Sequence, residues 1–195
     1  HDRRYRFAVL LIVVSSGGFS LNGLIVRSLY EASPWQVIFW RGFGVFLGQF
    51  IILLWMYRAR LPSQFLQIGR LGIAASILNG CSPAGFFFAL SNTTVANVVF
   101  LLSAMPFVSA IMARVVLGER IHTTTLWAIP VAFVGILVMV GGSILAGAWL
   151  GNLFALLTVL SFSVFVVILR YTRGRNMQPV LVLGGAVAMI FASAV

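Results

Sequence analysis

Seven apolar segments take up almost the whole chain, at 7–26, 35–57, 71–90, 93–117, 124–142, 150–170 and 179–195. Each is close to the roughly 20 residues that a helix needs to cross the hydrocarbon core of a bilayer. A chain in lipid must satisfy its backbone polar groups internally, and a run of this length does so as a helix. The fold class expected is therefore an all-α integral membrane protein, a helical bundle of about seven visible transmembrane helices. Connections are short and no soluble domain is inserted. Ser91–Asn92 barely separates the third span from the fourth, so those two are expected to form a tight helical hairpin. Composition removes the soluble alternative: 61% of residues are hydrophobic and 8% charged, where a soluble domain carries about 25% charged.

The few charges are informative by their placement. All 13 basic residues are Arg, against 3 acidic residues. They sit in short clusters between apolar runs rather than on one helix face or in a tail, so no nucleic-acid partner is expected. Arg3, Arg4 and Arg6 precede the first span, Arg58, Arg60 and Arg70 surround the connection after the second, Arg114 and Arg120 flank the end of the fourth, and Arg170, Arg173 and Arg175 follow the sixth. These are alternate connections and share one side; the others hold only Arg27 and Glu31. The positive-inside rule then puts the N terminus in the cytoplasm, and a bacterial inner membrane is the expected setting. The first apolar run is too long, and lacks a prompt small-residue cleavage site, to read as a signal peptide. The lone Cys81 has no partner for a disulfide or a metal. No cofactor and no metal site are expected. The chain starts at His1 and stops at Val195 inside an apolar run, and is expected to be a fragment truncated at both ends.

Two parts of the sequence echo each other. FSLNGLIVR at Phe19–Arg27 resembles FSVFVVILR at Phe162–Arg170, a shift of 143 residues, and Pro34 matches Pro179 at a shift of 145. The first span of the pair runs outward and the second inward, which is the pattern of an inverted repeat with an odd number of spans, found in many secondary transporters.

From Phe86 the sequence reads FFFALSNTTVANVVFLLSAMPFVSAIMARVVLGERIHTTTLWAIPVAFVGILVMV. An aromatic-rich entry ending in Ala89–Leu90, a short turn, an apolar helix carrying Pro106, LGER at Leu117–Arg120 and a closing helix with Gly135 follow one another. This resembles the EamA-type repeat of the drug/metabolite transporter superfamily. The resemblance covers about 7–143 as a first repeat of five spans and 149–195 as the beginning of a second. It implies ten spans in a full chain and a central cavity between the repeats. It also implies export or exchange of small metabolites, often amino acids or related compounds. Arg41 of the first repeat is not repeated, since Ala186 stands at the matching position.

The spans hold no acidic residue, because Asp2, Glu31 and Glu119 all lie at span ends or in connections. A membrane carboxylate for proton coupling is therefore missing from the visible spans. Arg41 lies inside the second span, about six residues from its outer end and so about 9 Å deep at 1.5 Å per residue. It is expected to be a buried tie to helix-end carbonyls or Glu31, a site for an anionic solute group, whose geometry the guanidinium fork suits, or a cation that snorkels to the outer interface. Neutral polar residues supply the other candidates for cavity lining. These are Asn79 and Pro83 on one face of the third span with Phe87 beside them, Asn97 and Phe100 in the fourth, and Ser161 in the sixth; Ser15, Phe19 and Asn22 share a face of the first. Interhelical hydrogen bonding is the competing role for each polar one. Pro106 is expected to kink the fourth span, and Glu119 with Arg120 to have a structural part, the carboxylate accepting from free N–H groups at the start of the next helix.

The expected function is secondary transport of a small organic solute, with the lipid bilayer and a small-molecule substrate as partners and a homodimer left open. A non-transporting sensor or assembly subunit is the alternative. An intramembrane enzyme would need a cluster of catalytic groups at one depth, which the spans do not offer.

Overall fold

A computed structural model describes residues 5, 9–10, 12–13, 33–145 and 147–194. Most of the first expected span, with Ser15, Phe19, Asn22 and Glu31, lies outside them. Among the described residues the fold is all-α. Helix α1 (Pro34–Tyr57) is followed by a 3-10 turn (Arg58–Arg60), a short α2 (Leu61–Gln67) and α3 (Gly69–Asn92). Then come α4 (Val95–Leu102), α5 (Met105–Leu117), α6 (Thr123–Leu145), α7 (Trp149–Tyr171) and α8 (Gln178–Ser193). Five stretches are long and apolar enough to cross a membrane: Pro34–Tyr57, Gly69–Asn92, Val95–Leu117, Thr123–Gly142 and Trp149–Tyr171. Helix α8 is apolar but shorter, at 16 residues.

Local chemistry explains where the helices begin and end. Pro34 opens α1, where a missing N–H costs nothing, and the Ser33 N–H donates to Gln36 Oε1 at 3.2 Å. Gly118, at φ 67°, ends α5 in the left-handed conformation and donates to the Arg114 carbonyl. The turn after α3 lies two residues later than the sequence suggested. The Ser91 and Asn92 side chains donate back to the Phe87 and Phe88 carbonyls and prolong the helix. Thr93 is extended instead, and Thr94 caps α4 by accepting from the Asn97 N–H at 3.3 Å.

The fourth span is broken rather than only bent. Ser103 and Ala104 interrupt it between α4 and α5, and Pro106 occupies the first turn of α5. The Pro106 ring removes the N–H that would bond the Leu102 carbonyl and disfavours helical backbone just before it. Pro83 and Pro130, by contrast, lie inside helices that continue through them.

Helices in lipid gain little from burying apolar surface against one another, so close fit and dispersion hold the bundle. The closest fits use glycine. A Cβ on Gly42 of α1 would lie 2.9 Å from the Gly185 carbonyl oxygen of α8, and one on Gly185 would lie 2.8 Å from the Gly42 carbonyl oxygen. A Cβ on Gly80 of α3 would sit 2.6 Å from the Gly184 oxygen. Helix α3 therefore packs chiefly on α7 and α8, and α1 on α8. The expected hairpin of the third and fourth spans is corrected to this extent. Helix α7 inserts beside the turn, where a Cβ on Gly151 would meet Thr93 at 2.6 Å, and takes up most of the contact with α3. Ala89, Val98, Leu101, Ala104, Ile136, Ala155 and Val159 form the core there.

Candidate functional site

The arginine-bearing connections meet at one end of the bundle. Asn176 Nδ2, after α7, donates to Gln64 Oε1 of α2 at 2.9 Å. Glu119, after α5, pairs with Arg170 at 3.2 Å and Arg173 at 3.9 Å. At the opposite end the ring of Trp35 meets Phe88 and Phe191, with centroids 5.1 and 5.8 Å apart, and Gly151 meets Thr93. Alternate connections thus lie at opposite ends, as membrane-spanning helices require.

Glu119 does not serve the start of α6, which was its expected role. Its two oxygens are taken by Arg170 and Arg173, while His122 and Thr124 bond to each other at 2.9 Å at the start of that helix. The Glu119 and Arg170 side chains are each 37% exposed, so the pair contributes only about 0–1 kcal/mol. It joins the end of α5 to the end of α7. Arg120 is exposed, without a bonded partner among the described residues.

At the other end Asn97 and Asn152 form a buried polar node. Each is 3% exposed. Asn97 Nδ2 donates to Thr93 Oγ1 at 3.1 Å and to Asn152 Oδ1, tying α4 to the first turn of α7. Asn97 Oδ1 is buried with no partner among the described residues. The sequence reading picked out Asn97 and missed Asn152. The signal for Asn152 was a polar side chain at i and small or polar ones at i+3 and i+6 (Ala155, Thr158), the buried stripe of α7.

The remaining candidates do not converge on one point. Asn79 lies between α3 and α8, its amide nitrogen 2.5 Å from where a Gly184 Cβ would be, so it fills a tight helix contact. Phe87 is buried with Ile38, Ala84, Ala188 and Ala192. Phe100 reaches Gly135 of α6, its ring tip 3.4 Å from a Cβ there. Pro83 and Ser161 are half-buried, and Pro106 is exposed beside the break. Arg41 is exposed on the flank of α1 and makes no hydrogen bond or ion pair among the described residues. The buried stripe of that helix passes through Ile38, Gly42 and Leu53. Three residues on from Ile38, Arg41 is rotated about 60° away, which is why the expected tie to the bundle is not made by these residues.

The described residues thus form a bundle of apolar helices with a broken fourth span and every charge but Arg41 toward one end. The model of the EamA-like transporter family matches residues 6–141. The chain belongs to that family. This EamA-like chain is 29% identical over 132 residues to an uncharacterized transporter of Archaeoglobus fulgidus, an alignment covering 65% of the chain and 47% of the relative. It is 26% identical over 137 residues to the pseudopaline exporter CntI of Pseudomonas aeruginosa, covering 68% of the chain and 45% of the relative. The chain thus spans about half the length of the curated relatives it matches. No solved structure gives a significant match. Family membership and the long apolar helices make the chain part of an integral membrane protein of the EamA-like transporter family.

Proposed function

We propose that this protein is a secondary carrier that exports or exchanges small organic metabolites, such as amino acids or related compounds, by alternating access. The solute passes through a cavity between inverted repeats, the first at 7–143 and the second beginning at 149–195. The bacterial inner membrane holds it, with the N terminus and the arginine end in the cytoplasm. No catalytic role is proposed.

One observation carries the reading: the family match across residues 6–141, with a relative named as the exporter of an organic compound. The reciprocal approach of Gly42 and Gly185 supports the inverted repeat. Each backbone abuts the other's carbonyl, the contact that a local two-fold axis produces. Their separation of 143 residues equals the shift relating Phe19–Arg27 to Phe162–Arg170. Under that shift the counterpart of Arg41 is Gly184, so the guanidinium is again unmatched. A lone cation in the half of α1 away from the arginine end suits attraction of a carboxylate or phosphate on the solute.

The test is exchange of a labelled amino-acid mixture by the full-length protein in proteoliposomes, wild type against Arg41→Ala at matched insertion. Saturable exchange by the wild type is expected, and its loss in the variant places Arg41 on the solute path. Absence of saturable flux for amino acids and for related metabolites overturns the carrier reading.

A further inference from the structure

The arginine end carries far more charge than topology or pairing uses. Among the described residues eight arginines gather there against a single acid, Glu119, which Arg170 and Arg173 already occupy. Arg58, Arg60, Arg70, Arg114, Arg120 and Arg175 are exposed and have no carboxylate partner among the described residues. Four of these six border one place. Arg58 and Arg60 precede α2, Arg70 follows it, and the Arg175 guanidinium comes within 3.8 Å of where a Cβ on Gly69 would stand, at the joint of α2 and α3. The Asn176–Gln64 hydrogen bond fixes the connection between α7 and α8 against α2, so these charges are held together by the fold.

The apolar residues at the same end say what kind of anion meets them. Leu66, on α2, is 85% exposed, and Trp55, in the last turn of α1, is 78% exposed. Tyr171 and Trp127 are exposed at the corresponding ends of α7 and α6. Exposed Trp and Tyr at helix ends mark the headgroup level of a bilayer. A short helix there with an outward leucine, bounded by arginines, is built to lie in the interface with the leucine toward the acyl chains. A soluble anion would meet the arginines alone. A phospholipid in the leaflet that Leu66 and Trp55 face meets both.

We propose that α2 with Arg58, Arg60, Arg70 and Arg175 is a docking site for an anionic phospholipid. The guanidinium forks hold its phosphate in paired hydrogen bonds, and Leu66 packs on its acyl chains. All the basic residues of this chain are arginine. An ammonium would serve orientation in the membrane equally well, whereas the planar fork is what matches a phosphate. The proposal rests on the protein being embedded in a membrane and is independent of what it carries.

The test is lipid retention, not transport. The full-length protein is reconstituted in nanodiscs of equimolar phosphatidylglycerol and phosphatidylcholine and released into mild detergent, and the lipids it keeps are counted by native mass spectrometry. Phosphatidylglycerol is expected to be enriched about fivefold or more, the factor that one arginine at an anionic surface supplies. The triple variant Arg60→Gln, Arg70→Gln, Arg175→Gln should fall to parity. The same three positions changed to Lys keep the charge and guard against a folding defect; they should retain less phosphatidylglycerol than wild type by about twofold or more. Parity in the wild type, or lysine variants equal to wild type, overturns the proposal. Displacement of the retained lipid by inorganic phosphate also overturns it, since the site then takes a soluble anion.

Discussion

A single methyl group is a sharp test of a bundle held by close fit. Gly80→Ala places a Cβ 2.6 Å from the Gly184 oxygen and 2.7 Å from the Val187 Cβ. Backbone and a branched carbon are both poor at yielding, so α3 and α8 must separate, at a cost of about 1–3 kcal/mol. Gly44→Ala is the control, because no described atom lies within 4 Å of its Cβ; alanine there should be neutral or slightly stabilising. Thermal unfolding in detergent distinguishes the two, and equal melting temperatures would show that this contact is not tight. The Asn97–Asn152 link is tested by a double-mutant cycle to alanine. A coupling of about 0.6 kcal/mol, rising to about 1.7, is the range for hydrogen bonds between membrane helices. Both side chains are 3% exposed and Asn97 Oδ1 is already unpaired, so a value in the upper part of that range is expected. A coupling of zero would mean that α4 is held to α7 by packing alone. Of the residues in these two contacts the sequence singled out only Asn97. Close approach depends on which helices meet, and nothing in the local pattern around Gly80 or Asn152 specifies a partner more than 50 residues away.

At the level of elements, the spans were legible because length and apolarity alone define them. The match from α1 to α8 is good to within a few residues. The misplaced turn at Thr93–Thr94 has a local cause: polar residues at a helix end were read as the end itself, while Ser91 and Asn92 return their side chains to the helix backbone. Pro106 was expected to kink its span, and the helix is instead interrupted just before it, while Pro83 and Pro130 leave their helices unbroken. What differs is the neighbouring chain. The Ala104 N–H donates to the Leu101 carbonyl, three residues back, and the Ser103 hydroxyl donates to the Phe100 carbonyl at 2.5 Å, so the break is satisfied from within. Pro106→Ala restores the N–H that Leu102 lacks and should favour one continuous helix from Val95 to Leu117. Stability should change by less than about 1 kcal/mol, since proline in a first turn costs little, and membrane insertion should be unaffected. Initial transport rate at matched insertion should shift clearly. Parallel loss of insertion and transport would make the break a folding feature and remove it from the transport cycle.

The whole molecule divides its polarity between two ends, and that division was the best determined part of the sequence because every connection contributes to it. The site was the least legible. Its candidates were chosen by polarity along single helices, and packing distributes them among separate contacts: Asn79 against α8, Asn97 against α7, Phe100 against α6, and Arg41 on an exposed flank. Orientation can be tested directly. With Cys81 replaced by alanine, single cysteines at Arg60, Arg120 and Arg173 report on the arginine end, and cysteines at Thr94 and Gly147 on the other; all five positions are exposed. In intact cells the first three should resist a membrane-impermeant maleimide and react only after permeabilisation. Thr94→Cys and Gly147→Cys should react at once. The expectation follows from arginine counts, because each of these charges costs more to translocate than to leave in the cytoplasm. Labelling of both groups at once would mean two orientations in one membrane. The reverse pattern would put the arginine end outside and the half of the bundle that holds Arg41 on the cytoplasmic side.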